Sequence, residues 1–278
     1  MTHPILARLR DRDPAVRRDA CADAARDPAA VLLAPGLAGA LGDPVRAVWR
    51  AAAEALVAVA AQDSAAVLAA LREVLHGGNG RARQVAALTG ARIAPRELRW
   101  LPPLAQALAS DDATLRWGAA RQLVELGRTD GSVLALALET VGGAASPVAR
   151  RMAAFCVREL GADDPRSAAA LVRASRDADV ALRRAALSCL AALLDPPRGV
   201  EERLREALAE EPDGACRRIA AAVLGSLAGG DPRFLSEPTR ALLARARETD
   251  PDPDLRRAAA RALEAAAAAP ETGPSRSA

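Results

Sequence analysis

The sequence predicts an all-α protein built from about eight two-helix repeats. Three observations support this prediction: a short pattern recurs along the whole chain, helix-capping residues stand at the start of each copy, and alanine greatly outnumbers the aromatic residues. Aromatic residues make up only 2% of the 278 residues, although hydrophobic residues make up 51%. This apolar content is too high for a disordered chain. Closely packed helices that bury small side chains account for it.

The recurring pattern contains a capping residue, an apolar residue, an arginine and, three positions after that arginine, an alanine. One copy reads Asp13-Pro-Ala-Val-Arg17-Arg18-Asp-Ala20. We call the position of the first arginine the anchor. The anchors are Arg17, Trp49, Arg83, Arg116, Arg150, Arg183, Arg217 and Arg256. Self-similarity at a period of about 33 residues is the signature of a repeat array.

Each copy is predicted to start a helix. Good N-cap residues stand four positions before the anchor: Asp13, Asn79, Asp112, Ser146, Asp179, Asp213 and Asp252. Their side chains can accept hydrogen bonds from the free amides of a first helical turn. In the second copy, Asp43-Pro44 fills this role from a position two residues earlier.

A second helical pattern lies between successive copies, so each repeat reads as helix A, a turn and helix B. Examples of A helices are residues 64–75, 132–141, 167–175 and 200–209. Asp27-Pro28, Asp164-Pro165 and Asp231-Pro232 are predicted to start A helices in the same way, because proline fits the first helical position.

The turn aspartate, the apolar–arginine step and the following alanine resemble the HEAT-repeat family of α-solenoids, in particular the short bacterial HEAT-like repeats also described as PBS lyase-like. The resemblance covers roughly residues 4–268, and the copy at Trp49 departs from the pattern at its anchor and cap. It implies a right-handed α–α superhelix that forms one domain over residues 1–268. Residues 269–278 are predicted to be a disordered C-terminal tail.

Two columns of the stacked repeats are predicted to form the core. The position before the anchor is apolar in every copy, and the position three after it is always alanine. The anchor arginine lies at the shoulder of this face and is predicted to pair with cap-region aspartates of its own or a neighbouring repeat.

The positions one and five after the anchor point away from the core, and we call the surface they form the B-helix face. The resemblance implies that B helices line the concave surface of the solenoid. The candidate partner-binding residues on this face are Arg18, Arg50, Gln84, Leu88, Trp117, Arg121, Arg151, Phe155, Arg184, Arg218 and Arg257. An exposed tryptophan beside arginines is typical of an interaction hot spot. The alternative is that the Trp117 side chain folds back over the helices and covers a core that is thin because it is built from alanines. Trp49 and Trp100 are predicted to be packing residues.

Charge is predicted to be segregated between the helices. The chain carries a net charge of +3, and all 38 basic residues are arginines. Arginine outnumbers acidic residues strongly in the B helices, so the remainder of the chain is acidic. Such an asymmetry indicates an acidic protein partner or a phosphate backbone. The alternative is a solvated helical face that is rich in arginine for compositional reasons.

Several kinds of chemistry lack their motifs in the sequence. The four cysteines form no CxxC pair, only two histidines are present, and no glycine-rich phosphate loop ends in a lysine. One enzyme class remains an alternative, because alkylpurine DNA glycosylases are HEAT-like solenoids that use tryptophans with a carboxylate. However, the residue one turn beyond Trp117 is Arg121, and the nearest acids are Asp111, Asp112 and Glu125.

The leading functional hypothesis is therefore a non-catalytic scaffold that grips an acidic protein or peptide segment on the basic B-helix face. No cofactor and no metal are expected. The alternative is a nucleic-acid binder that uses the same arginines on phosphates. The N-terminus lacks the apolar stretch of a signal peptide, and no apolar run is long enough to span a membrane. A cytoplasmic location is expected.

Overall fold

A computed structural model describes residues 3–268, and within that range the chain forms helices and turns without a strand. The α-helices are α1 (Pro4–Arg8), α2 (Pro14–Ala24), α3 (Ala30–Gly39), α4 (Arg46–Ala60), α5 (Ser64–Gly77), α6 (Gly80–Ile93), α7 (Leu101–Ala107), α8 (Ala113–Gly127), α9 (Ser132–Gly142), α10 (Pro147–Leu160), α11 (Pro165–Ala174), α12 (Val180–Cys189), α13 (Arg198–Glu210), α14 (Gly214–Gly230), α15 (Glu237–Thr249) and α16 (Pro253–Ala268). The odd-numbered helices are the A helices and the even-numbered ones are the B helices. The predicted alternation of A and B helices is therefore observed.

The chain divides into two compact units, unit 1 up to Val133 and unit 2 from Leu134 onward. In unit 1, each A helix packs on the B helix of its own pair, and α2, α4, α6 and α8 pack on one another in chain order. In unit 2, α10, α12, α14 and α16 form the corresponding row of B helices, and α11, α13 and α15 form a row of A helices. The prediction of a single domain over residues 1–268 stays a prediction, and the predicted tail at 269–278 lies outside the described residues.

Most B helices begin with a side-chain N-cap at the position that the sequence predicts. The caps that accept a hydrogen bond from a first-turn amide are Asp13, Asn79, Asp112, Ser146, Asp179, Asp213 and Asp252. The exception is α4, whose N-cap Val45 has no side-chain hydrogen bond. Asp43 instead accepts from the Val45 amide at 2.8 Å, as its early position in the sequence implies.

The predicted starts of the A helices are only partly correct. Asp164 caps α11 directly before Pro165, as predicted. Asp27 accepts from the Ala29 amide, but α3 begins at Ala30. Asp231 and Pro232 begin a 3₁₀ turn, Pro232–Phe234, and α15 begins later, at Glu237. An aspartate–proline pair fixes one turn of chain, and it does not decide whether that turn continues as an α-helix.

The two core columns are confirmed by burial. All eight alanines three positions after the anchor have no exposed surface. The apolar column before the anchor is buried as well, apart from Val16, which is half-buried because its A helix, α1, has only five residues to cover it. Small residues allow the B helices to approach closely. A Cβ atom added to Gly225 of α14 would lie 2.8 Å from the Cα atom of Ala262 in α16.

The anchor arginines stabilise the turn between the A and B helices. Arg17, Arg116, Arg183, Arg217 and Arg256 each donate a hydrogen bond to the carbonyl six positions earlier. Several also pair with an acid of the following repeat: Arg17 with Asp43 at 2.6 Å, Arg150 with Asp177 at 2.7 Å and Arg183 with Glu211 at 2.7 Å. The predicted pairing with acids is therefore observed at Arg17, Arg150 and Arg183, and the other anchor arginines form no such pair within the described residues.

Among residues 3–268, no helix is both long enough and apolar enough to cross a membrane.

Candidate functional site

An open groove of about 660 Å³ runs over helix α6 on the B-helix face of unit 1. The neighbouring B helices α4 and α8 form its two walls. Its lining residues are Trp49, Arg50, Ala53, Glu54, Val85, Leu88, Thr89, Arg92, Ala113, Thr114, Trp117, Gly118, Arg121 and Gln122. We call this feature the α6 groove. Its volume lies in the range of about 300–1,000 Å³ that is usual for ligand-binding clefts.

The floor of the α6 groove is apolar and closely packed. Val85 is fully buried, and Trp49 is only 4% exposed. Leu88 is half-buried and leans against α8, where a Cβ atom added to Gly118 would lie 3.0 Å from the Leu88 Cδ2 atom. The absence of a side chain at Gly118 therefore makes room for Leu88 at the centre of the groove.

Polar contacts mark both ends of the groove. At the start of the B helices, the Arg46 guanidinium reaches from α4 to the Thr114 hydroxyl and lies 3.6 Å from Asp112 Oδ2, so it connects α4 with α8. At the other end, Arg92 of α6 donates two hydrogen bonds to Glu54 of α4, at 2.8 and 2.9 Å. These bonds hold the pKa of Glu54 below its usual value. The Glu54 carboxylate is therefore ionised at neutral pH and is directed at Arg92.

Trp117 stands in the α8 wall with 42% of its surface exposed. This agrees with its predicted position on the outward face. Arg50 and Arg121 are exposed and line the opposite walls of the same groove. Neither guanidinium has a hydrogen bond or ion pair within residues 3–268, although the charge of Arg50 also helps to lower the pKa of Glu54 one turn away. The groove thus combines an aromatic surface with two cationic groups that are available to a ligand.

The other two tryptophans are packing residues, as predicted. Trp100 is fully buried, and its indole Nε1 donates to the Ala94 carbonyl at 3.0 Å. Trp49 contributes only an edge to the floor of the α6 groove. Trp117 is therefore the tryptophan that a ligand in the groove would contact most.

The B-helix face of unit 2 neutralises much of its own positive charge. Arg184 pairs with Asp213 at 2.6 Å and Arg218 pairs with Asp252 at 2.7 Å, each time with the cap of the following B helix. Arg151 lies 3.7 Å from Asp179 in the same way. These three arginines were predicted as contacts for a partner. The structure shows that each already faces a carboxylate of this chain.

The remaining predicted residues are divided between the two units. Exposed Arg18 pairs with its neighbour Asp19, and exposed Arg257 pairs with Asp254 one turn earlier. Surface pairs of this kind contribute little and exchange readily. Gln84 is half-buried in α6. Phe155 is half-buried in unit 2, with the Arg158 guanidinium carbon 4.9 Å from the centre of its ring.

The paired carboxylates of unit 2 predict an acid-sensitive stability. Hydrogen bonds from Arg184 lower the pKa of Asp213 well below its usual value. A carboxylate with a lowered pKa stabilises the folded state above its unfolded pKa of about 3.9, and this contribution is lost as the pH falls through the folded pKa. We expect the stability of the parent to fall more steeply than that of Asp213→Asn between about pH 4 and pH 2.

Urea denaturation at a series of pH values, followed by circular dichroism, measures this difference. Asp195→Asn is the matched control, because Asp195 is exposed and has no ion pair among the described residues. Equal acid slopes for the parent and Asp213→Asn would contradict the prediction.

Two arginines that were not predicted from the sequence take part in the site: Arg92 lines the groove, and Arg46 contacts Thr114 and Asp112 at its end. Arg92 lies nine positions after its anchor, which is one helical turn beyond the position five after it. The sequence therefore already indicated that Arg92 lies on the B-helix face. Arg46 lies before its anchor, and its contact across two B helices depends on how closely α4 and α8 approach.

The acids considered for glycosylase chemistry occupy structural positions. Asp112 accepts hydrogen bonds from the Thr114 and Leu115 amides at the start of α8. Glu125 pairs with Arg128, the residue that caps the C-terminal end of α8. The backbone carbonyl of Asp111 accepts from Arg116.

The cysteines offer neither a metal site nor a reactive thiol. None of the four forms a disulfide and all are buried, and burial raises the pKa of Cys21 to about 11 and that of Cys156 to about 12. Such thiols are protonated and unreactive at neutral pH. Within residues 3–268, no group of three or more histidine, cysteine, aspartate or glutamate side chains is arranged to hold a metal ion.

No protein-family model matches the chain, and neither does any curated protein. Solved structures do match. Importin beta in an ammonium sulfate condition is 13% identical with a TM-score of 0.63, over 95% of this chain and 40% of that one. A Kap121p mutant is 14% identical with a TM-score of 0.60, over 94% of this chain and 32% of that one. This chain thus spans less than half the length of either protein.

The paired helices and these similarities define the fold. The chain is a HEAT/armadillo-like helical solenoid. At these identities the similarity establishes the fold alone, so the function has to be argued from the α6 groove.

Proposed function

We propose that this protein is a non-catalytic scaffold that binds an acidic segment of a partner protein on its B-helix face, with the α6 groove as the main contact. The observation that carries the proposal is that Trp117, which is 42% exposed, lines the same groove as Arg50 and Arg121, which form no ion pair within the described residues. Tryptophan and arginine are the residue types most enriched among interface hot spots.

The charge of the groove favours an acidic partner. Its lining holds three arginines, Arg50, Arg92 and Arg121, against one acid, Glu54, whose carboxylate is directed at Arg92. A surface of this sign attracts anionic segments and raises their association rate. Arg18 and Arg257 add exposed charge elsewhere on the B-helix face.

The pairs in unit 2 make its arginines weaker contacts than the sequence predicts. A partner carboxylate that binds Arg184 or Arg218 has to displace Asp213 or Asp252, which already holds the guanidinium at hydrogen-bond distance. Arg151 and Phe155 remain candidates for secondary contacts in the proposal, and Gln84 and Leu88 belong to the primary one.

A pull-down from the cell of origin tests the proposal, with the parent, an Arg50→Ala/Arg121→Ala double variant and an Arg12→Ala/Arg26→Ala control. The control removes the same charge from exposed positions outside the groove. We expect the parent and the control to capture the same proteins after nuclease treatment, those proteins to contain acidic segments, and the double variant to lose them.

Two results would contradict the proposal. Capture that disappears with nuclease would indicate nucleic acid, as would binding of a fluorescent DNA duplex at ~50 mM salt that weakens steeply as salt rises. Capture that is unchanged in the double variant would show that the partner binds elsewhere on the chain.

A further inference from the structure

We infer that the α6 groove recognises a specific type of acidic segment: an extended stretch in which one bulky apolar side chain enters the groove and carboxylates on either side of it pair with Arg50 and Arg121. This inference rests on the proposed function and adds a rule for which acidic segments bind.

The centre of the groove is apolar, although its rim is charged. Leu88 and Trp117 present partly exposed apolar surface there, and Ala53, Val85 and Gly118 complete the lining between them. A ligand that met only the arginines would leave this apolar surface in contact with water. An aromatic or large aliphatic side chain would cover it, and aromatic side chains bury about 150–250 Å² each.

The cationic groups stand on opposite sides of that centre. Arg50 belongs to α4 and Arg121 to α8, so α6 lies between them. Neighbouring helices are about 8–10 Å apart, so the axes of α4 and α8 lie at most about 16–20 Å from each other, and closer where Arg46 of α4 reaches Thr114 of α8. An extended chain covers this upper limit in about five or six residues, at about 3.3 Å per residue. The carboxylates are therefore expected no more than about three positions before and after the apolar residue.

The other charged groups of the groove restrict the orientation of the segment. Glu54 lies one turn beyond Arg50 on α4, and it remains ionised because Arg92 holds it. A ligand carboxylate is repelled near Glu54 and attracted at the Arg50 end. The segment is therefore expected to cross α6 obliquely, from Arg50 near the start of α4 to Arg121 further along α8.

Fluorescence anisotropy with two labelled synthetic peptides tests the inference. In the first peptide, one phenylalanine lies between two pairs of aspartates; in the second, alanine replaces the phenylalanine. The proteins are the parent, Trp117→Ala, Leu88→Ala, the Arg50→Ala/Arg121→Ala double variant and the Arg26→Ala control. We expect the phenylalanine peptide to bind the parent and the control about tenfold more tightly than the alanine peptide. In Trp117→Ala and Leu88→Ala, this preference is expected to shrink to about twofold or less.

For each variant, the four combinations of the two peptides with the parent and that variant form a double-mutant cycle, so a general loss of affinity cannot produce the same result. Circular dichroism of each variant checks that the helices remain folded. Trp117→Phe is added as a conservative substitution that retains an aromatic ring. Trp117→Phe is expected to retain most of the preference for phenylalanine.

Each of the remaining outcomes overturns the inference in a distinguishable way. One such outcome is that both peptides bind the parent equally while Arg50→Ala/Arg121→Ala lowers the affinity for both. In that case the groove recognises charge alone, so the inference fails and the proposed function stands. If neither peptide binds, both fail. If the preference for phenylalanine survives in Trp117→Ala and Leu88→Ala, the apolar side chain binds outside the α6 groove, and the inference fails.

Discussion

Trp100→Ala is expected to lower the free energy of unfolding by about 3–5 kcal/mol, because it deletes a fully buried tryptophan. The indole ring fills the space next to Gly90, where an added Cβ atom would lie 2.6 Å from the Trp100 Cη2 atom. The indole also donates to the Ala94 carbonyl, which ends α6. The substitution therefore leaves a large cavity and removes the partner of a backbone carbonyl.

Urea denaturation followed by tryptophan fluorescence measures this effect directly, because all three tryptophans lie in unit 1. Trp117→Ala is the matched control. It removes the same side chain from a position that is 42% exposed, so we expect a loss of about 1 kcal/mol or less. A loss in Trp100→Ala no larger than that of the control would contradict the assignment of Trp100 as a core residue.

Arg203→Ala is expected to lower the stability of unit 2 by about 1–3 kcal/mol, because it leaves the buried Ser175 carbonyl without its charged donor. Arg203 of α13 is only 3% exposed. Its Nε donates to Ser175 Oγ at 2.8 Å and its Nη2 to the Ser175 carbonyl at 2.7 Å, at the end of α11. Nη2 also lies 3.7 Å from Glu211. Without Arg203, the buried Ser175 carbonyl loses this donor and Glu211 keeps Arg183 as its main cation.

Circular dichroism and the exposure of the buried thiols Cys189 and Cys216 report the unfolding of unit 2. Arg198→Ala is the control, because Arg198 is exposed at the start of the same helix and a change within about 0.5 kcal/mol is expected there. Arg203→Met retains much of the apolar stem but none of the donors. If Arg203→Met proved as stable as the parent, packing of the stem would explain the role of Arg203 and the network would not.

The arrangement of Arg203 could not be predicted from its sequence neighbourhood. The stretch Glu-Glu-Arg-Leu-Arg-Glu in α13 resembles a solvated helical face, yet Glu201 and Arg203 are both buried. Glu201 accepts hydrogen bonds from Ser236 and Thr239 near the start of α15, which lies more than thirty positions later in the chain. Local amphipathic pattern cannot show such burial, because it depends on how tightly the A helices of successive pairs pack together.

The period of the repeat, the caps of the B helices and the buried alanine column follow from the sequence, because each depends on local hydrogen bonding or on a residue size that recurs at one position. Ala20 and Ala259 occupy the same place in the first and last copies, and both are fully buried. The outward position of Trp117 also follows from its column.

Tertiary structure alone decided which arginines of the B-helix face are available to a ligand. Arg184 and Arg50 occupy the same column in the sequence, but Arg184 meets Asp213 of the next repeat, whereas Arg50 faces an open groove. The cap that follows Arg184 is an aspartate whose carboxylate accepts from the guanidinium, whereas the cap that follows Arg50 is the uncharged Asn79, and only the packing of adjacent helices shows that Arg184 and Asp213 meet. A column of identical residues therefore fixes the face on which they lie, and the packing of adjacent helices fixes the charge that this face presents.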